Sequence, residues 1–535
     1  MSTPRLTLPL ALVLFLSACL PAPVALPSPS VASPTPFRAI PPTATPEVVR
    51  LWLSPALPEA LRQPALALAD LGGRPIEWVD KESAADVRLG PQPEQAITMW
   101  TYALVAPFPT LQDDLSTEAL IGQWRGQAGG PLLVTAADGP ALEALLGEGA
   151  AGVHQANDLL SAAWDLSALA IIPFEALEPR WKLLTVDGVD PLLAGFDPAV
   201  YSLSVAFGAS GPEGLTAELE QALGWPAGNR DPSALTVVAV TGVTALTRAT
   251  AWAIEHESIE WAVADVAEWL APADITHVSH EVAFTPDCPP VNPSRDVKLF
   301  CGQPDQIEVL AAIGTDVVEL TGNHVMDFGG EALLYTLEQY QARGWQTFGG
   351  GADRLVGAEP AVFDHNGNQI AFVGCNPAGP GYAWATDSQP GSQPCDFPAL
   401  HDQIARLRAE GYLPIVTFQW TESYRSWPVP EQAEAFRQAA AAGAVIVSGS
   451  QAHQPMGLEF HGDSLIHYGL GNLFFDQMWS EPTRQEFIDL HVFYRGRHIS
   501  TRLLTAMLED YARPRAMTPD ERAAFLTTIF DASGW

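Results

Sequence analysis

The chain reads as two α/β domains in succession, placed behind an export segment and a tether. Three observations point there. Short β-branched apolar runs alternate with helical patterns from residue 48 to residue 207, a turn-rich break fills 208–235, and the alternation then resumes to residue 480. The length agrees, because the ~490 residues beyond the tether exceed what one hydrophobic core normally organises. The composition, 47% hydrophobic and 17% charged with 16 Trp, is that of a globular protein.

Residues 1–19 form the export segment. Arg5 precedes an apolar run from Leu6 to Leu16 that is too short to span a bilayer as a mature helix. The run ends in Leu16-Ser17-Ala18-Cys19, which resembles the bacterial lipobox and makes Cys19 the expected lipid acceptor. An ordinary signal peptide with a chance Cys is the plain alternative. No later stretch offers the ~18 uninterrupted apolar residues a spanning helix needs. The lipid is then the sole expected anchor, holding the protein on the outer face of the membrane. Residues 20–47, rich in Pro, Ala, Ser and Thr, cannot build a core and read as an extended tether.

Charge excludes one partner class. With 62 acidic against 27 basic residues the formal charge is −35, and no basic stripe is visible, so nucleic acid is not an expected partner. The same field is awkward for tight binding of a polyanion. Cysteine points to the compartment. Beyond Cys19 the chain has Cys288, Cys301, Cys375 and Cys395, and an even number in an exported chain favours disulfides. Pairing Cys288 with Cys301 and Cys375 with Cys395 closes two short Pro- and Gly-rich loops. Zinc is the rival reading, but no Cys-x-x-Cys spacing supports it.

In the first domain, Val49–Leu53 reads as a strand and Glu59–Ala69 as a helix. The runs Tyr102–Thr110, Leu169–Phe174 and Leu183–Gly188 resemble the crossover region of type 2 periplasmic solute-binding proteins. That likeness implies either a solute site or an inert spacer of the same fold. The Gly-Pro, Pro-Ala-Gly-Asn and Asp-Pro signals of 208–235 read as a linker. In the second domain, Thr236–Val240, Ile370–Val373, Ile415–Phe418 and Val445–Val447 read as strands, with a helix over Glu431–Ala442. Residues 481–535 read as an extension packing on that domain.

The second domain is organised around Thr321–Gly329, which follows the strand-like run Asp316–Leu320. A strand ending at Gly322-Asn323-His324 puts an amide oxygen and an imidazole at its carboxyl end, where open α/β sheets collect ligand and metal chemistry. Gly-Asn-His in this setting resembles the metallophosphoesterase loop. The longer run through Met326-Asp327-Phe328-Gly329, with Gly349-Gly350-Gly351 and Ala358-Glu359-Pro360 beyond it, resembles the CapA family of capsule and poly-γ-glutamate synthesis proteins. The resemblance implies a layered α/β/β/α metallophosphoesterase-like fold. It also implies work on an envelope polymer or a small-molecule ligand.

Carried over residue by residue, the resemblance makes Asn323 a metal ligand, His324 a proton donor and Asp327 the group steering its imidazole. Asp327 also reads as a helix N-cap. Ser279-His280-Glu281 matches a loop whose Glu bridges metals, with His277 and His280 on opposite faces of a strand. Glu422 stands at a retained carboxylate position, as base or ligand, and His453 at a retained imidazole position. Three ligands are lost. Gly242 stands where an Asp is expected, and Gln419 and Gln451 stand where imidazoles are expected. Arg248, Gln419 and Gln451 become substrate-binding candidates. Amide oxygens hold transition metals more weakly than imidazole or carboxylate. A two-metal clamp is therefore not expected, and the cofactor is at most one loosely held divalent ion (manganese, magnesium or zinc) at Glu281, Asn323 and His453. The two functional expectations are a CapA-type envelope protein with a depleted metal site, and a non-catalytic extracytoplasmic binding lipoprotein.

Overall fold

The computed structural model describes residues 47–535 apart from 93, 128 and 149–152. The export segment, Cys19 and the tether up to residue 46 lie outside the described residues. Val48–Trp535 is one compact unit of α/β architecture.

The first half is built on a mixed eleven-stranded sheet. Its spine is the long strand Ala96–Pro107, which pairs through Thr98–Thr101 with Ser204–Ser210 and through Tyr102–Val105 with Leu169–Pro173. The run expected to cross between parts of the domain therefore does so. The turn-rich stretch 208–235, by contrast, is not a linker. It carries the helix Glu213–Leu223, whose Leu219 and Leu223 are buried at i, i+4 spacing. Trp225 Nε1 donates to the Leu61 carbonyl at 3.0 Å, and the Asn229 amide bonds both ways with the Thr101 backbone at 2.8 and 2.9 Å. The Gly and Pro signals punctuate a folded helix here; they do not mark a free connection.

The second half has two sheets packed face to face, with helices outside each. In the first sheet Gln346–Phe348, Val317–Glu319, Ile275–His280 and Leu235–Thr244 run parallel, and Gln485–Tyr494, Arg497–Glu509 and Arg513–Ala516 continue antiparallel. The second sheet holds Asn368–Cys375, Leu413–Ser423 and Ile446–Ala452 in parallel between edge strands. Period-two alternation assigns the faces. Val238, Val240, Ile370, Phe372, Ile415 and Ile446 fill the space between the sheets, each contributing roughly 1.5–3 kcal/mol by leaving water. Their neighbours Ala239, Ala371, Val373, Val416 and Val447 face the outer helices.

Residues 481–535 are part of this architecture and do not pack onto it from outside. Leu235–Thr241 pairs with Ile488–Tyr494, and the helix Pro519–Ser533 sends Phe525, Leu526, Ile529 and Phe530 into the intersheet core. Both faces of Gln485–Tyr494 are buried, and polar Glu486, Asp489 and His491 are buried there among apolar neighbours. The halves share a core in which Phe174 meets Tyr494 edge-on at 5.3 Å.

Candidate functional site

Side chains from the carboxyl ends of strands in both facing sheets meet in one cluster, called the cleft below, and it has two halves. In the first, the Gln419 amide nitrogen sits among three oxygens. It donates to Asn323 Oδ1 at 3.1 Å and to Glu281 Oε2 at 3.4 Å, and it also bonds Gln451 Oε1. Gln419 Oε1 accepts from the Ser450 hydroxyl at 2.6 Å, which in turn lies 3.0 Å from Ser279 Oγ. Glu281, Gln419, Ser450 and Gln451 are all buried. Gln451 holds φ at +70°, a conformation non-glycine residues adopt at a cost and that concentrates at functional sites. Gly322 lets the Asn323 loop lie against Glu281, since a Cβ there would stand 2.5 Å from Glu281 Cα.

The second half is built on His324. Its Nδ1 lies 2.7 Å from Asp327 Oδ2, and its ring rests on Phe300 with centroids 4.1 Å apart. Asp327 Oδ2 also accepts the Phe300 backbone N–H at 2.9 Å, and Oδ1 accepts the Tyr382 hydroxyl at 3.2 Å. Burial pulls the imidazole toward neutrality, but the bond to Asp327 and the charge of Glu281 outweigh it, so its pKa is raised. Asp327 spends its carboxylate on His324, the Phe300 N–H and the Tyr382 hydroxyl and does not cap the helix that follows. The helix begins at Gly329, and the preceding Phe328 makes no side-chain cap bond.

Three sequence assignments change on contact with this geometry. Gly242 is not the site position of its strand: a Cβ there would stand 2.4 Å from the Gly471 carbonyl oxygen. A register shift between Val240 and Val243 hands the site-facing place to Val243, which joins Ala245, Val282, Phe300 and Phe475 in a small apolar cluster. Arg248 is not free to meet a ligand. Its guanidinium is ion-paired with buried Asp476 and lies over Phe300 and Phe475 at 4.7 and 5.0 Å. Glu422 is exposed and takes its hydrogen bond from Tyr424, apart from the Gln419 cluster. His453 is buried, with Nδ1 2.8 Å from Asn472 Oδ1. The amide oxygen accepts, so Nδ1 is the donor in this bond. His277 and His280 do point to opposite faces, to Glu319 at 3.2 Å and to the Tyr340 hydroxyl at 2.8 Å, away from the cleft cluster.

Sequence reasoning missed Phe300, Tyr382, Asn472 and Asp476. Signals existed for all four. Phe300 precedes Cys301, Tyr382 lies within the Cys375–Cys395 loop, and both disulfides are formed as paired above. Asn472 and Asp476 bracket the apolar run Leu473-Phe474-Phe475, polar residues at the two ends of a short strand-like segment.

The donor set does not fit a two-metal centre. Among the described residues no three His, Cys, Asp or Glu side chains converge as a metal group. The point where Glu281 and Asn323 oxygens meet is taken by an amide N–H. A cation would have to displace Gln419 to reach them.

Residues 237–477 match the family model described as bacterial capsule synthesis protein PGA_cap. The capsule biosynthesis protein CapA of Bacillus anthracis is 24% identical over 234 residues, covering 43% of this chain and 57% of that protein. The chain spans about half the length of the curated relatives it matches, from 51% to 57%. Among solved structures, a 5'-nucleotidase precursor from Thermus thermophilus aligns at 13% identity and TM-score 0.33, covering 56% of this chain and 59% of that one. An ABC-type phosphate transport receptor from Vibrio cholerae aligns at 14% identity and TM-score 0.27, covering 34% of this chain and 95% of that one.

Proposed function

We propose that the chain is an exported, lipid-anchored protein of the CapA type, serving synthesis of a capsule, poly-γ-glutamate or another envelope polymer. It does so by holding a polymer end or small ligand in the cleft, without two-metal hydrolysis. The match of 237–477 to the capsule synthesis model and the capsule-biosynthesis relatives support the biological class. One observation carries the mode of action. The Gln419 amide occupies the meeting point of the Glu281, Asn323 and Gln451 oxygens. A bound cation there would generate hydroxide and clamp a transition state, whereas an amide only donates and accepts hydrogen bonds. Beside it, exposed Tyr382, Tyr424 and Trp479 offer aromatic faces at the rim. Among the described residues no helix is long and apolar enough to cross a membrane, which fits anchoring by lipid on Cys19.

Elemental analysis of purified protein equilibrated with manganese and zinc tests the mode of action. At most one weakly held ion per chain is expected, with negligible turnover of aryl phosphates. Two tightly held ions, with activity that dies on chelation, would restore the hydrolase reading, for which the retained His324–Asp327 pair is the supporting observation. For the anchor, Cys19→Ser should move the protein from membranes to the soluble exported fraction.

A further inference from the structure

A second cavity, of about 330 Å³, lies where the first half meets the back of the second. Its polar end gathers three cations. Lys182 comes from the strand Trp181–Val186, Arg502 from Arg497–Glu509 and Arg522 from the helix Pro519–Ser533. In a chain of formal charge −35 this concentration is out of pattern. Asp113 serves two of them at once, at 2.7 Å from Lys182 Nζ and 2.9 Å from Arg522 Nη2, while Asp190 pairs with Arg502. Asp114 stands behind the same wall on the Thr185 hydroxyl at 2.5 Å, so three carboxylates lie around the three cations. Arg522 Nη1 is buried with no hydrogen-bond partner, so one strong donor lacks an acceptor. The rest of the wall is apolar, with Phe108, Leu183, Met517, Leu526 and Phe530. Burial pulls the Lys182 pKa down to about 8, against the pull of Asp113 and with Arg522 and Arg502 adding to the drop.

We propose that this cavity binds a small amphipathic monocarboxylate, its carboxylate on Arg522 and Lys182 and its apolar body against Phe108, Leu526 and Phe530. The unpartnered Arg522 Nη1 offers that carboxylate a donor. The volume is at the lower end of small-molecule pockets, roughly 300–1,000 Å³. Because Lys182 belongs to the first half and both arginines to the second, the ligand bridges them, and binding stabilises their apposition. The site is separate from the cleft and rests on none of its residues.

Calorimetry on the full exported chain tests this, with octanoate as the probe and acetate and octan-1-ol as controls. Octanoate should bind once per chain, roughly fourfold tighter per methylene along the acid series, and at least tenfold tighter than the alcohol. Arg522→Met should cut octanoate affinity at least tenfold, with the melting temperature of the free variant checking that it folds. A measurement on the unaltered protein stands beside it: saturating octanoate should protect Lys182 from an amine-acylating reagent, read by peptide mass spectrometry, and acetate should not. No octanoate binding up to millimolar concentration would overturn the proposal. So would equal affinity for octanol, or unchanged Lys182 labelling at saturation.

Discussion

The two halves of the cleft are held by different means. The Gln419 half is made from strand ends, with Gln419 within Leu413–Ser423, Gln451 within Ile446–Ala452 and Glu281 directly after Ile275–His280. Its polar atoms are turned on one another. The His324 half is held by loops closed with disulfides. Phe300, which carries the ring and donates to Asp327, precedes Cys301, and Tyr382 lies between Cys375 and Cys395. On one side the side chains satisfy one another in a buried network. On the other side an acid–base pair keeps its geometry. The Gln419 side therefore leaves no hole. The lost charge is compensated by hydrogen bonds that make the remainder a packed, polar surface.

The sharpest way to break this comparison is Gln419→Ala. It strips the shared donor from the buried Glu281 carboxylate and from Asn323 and Gln451, and leaves the Ser450 hydroxyl without its acceptor. Chemical denaturation should show a loss of about 3 kcal/mol or more. A loss of a few tenths would mean the amides are not a satisfied network. The counterpart on the other half is removal of Cys288–Cys301 by a double change to Ser. The bridge spans 13 residues, so about 3 kcal/mol is expected from loop closure. The Phe300 support of His324 should loosen with it, while the Gln419 half stays intact by hydrogen exchange.

Much of this was legible beforehand, and what was not has physical causes. The order of loops and the faces of the strands follow from period-two alternation, and the disulfides follow from two short loops. The site position in the first loop could not be read, because a bulge between Val240 and Val243 changes which residue faces the cleft. A bulge leaves no trace in apolar patterning when both faces are buried. The Arg248–Asp476 pair joins residues 228 positions apart, and Asn472 holds His453 through an amide that reads as turn chemistry. The supposed linker failed for a related reason. Gly and Pro mark the ends of a short helix as readily as they mark a boundary.

A third test uses the bulge. Converting Gln419 and Gln451 to His together with Val243→Asp should raise divalent-ion affinity at least tenfold, equivalent to about 1.4 kcal/mol. The same pair of His changes with Gly242→Asp should not, because that Cβ meets the Gly471 carbonyl. Metal titration of the two triple variants separates them. A gain only in the Gly242 variant would show that the site-facing residue has been misassigned.

The smallest effect belongs to the acid–base half, and it has a sign. His324 faces Asp327, Glu281 and, beyond Phe300, Arg248. Burial lowers its pKa, Asp327 and Glu281 raise it, and the net result is upward. A raised folded-state pKa means the folded chain holds this proton more tightly than the unfolded chain. The resulting stabilisation is full below the unfolded value of about 6.5 and is lost as pH rises through the folded value. Asp327→Asn removes the carboxylate while keeping an acceptor for the Phe300 N–H or the Tyr382 hydroxyl. It should cost about 1 kcal/mol at mildly acidic pH, with the cost shrinking toward alkaline pH. Proton NMR of the His324 ring gives the direct reading: the imidazole should titrate above about 6.5 in the unaltered chain and fall in the variant. If His324 titrates at or below that value, or the variant leaves it unmoved, Asp327 does not steer the imidazole.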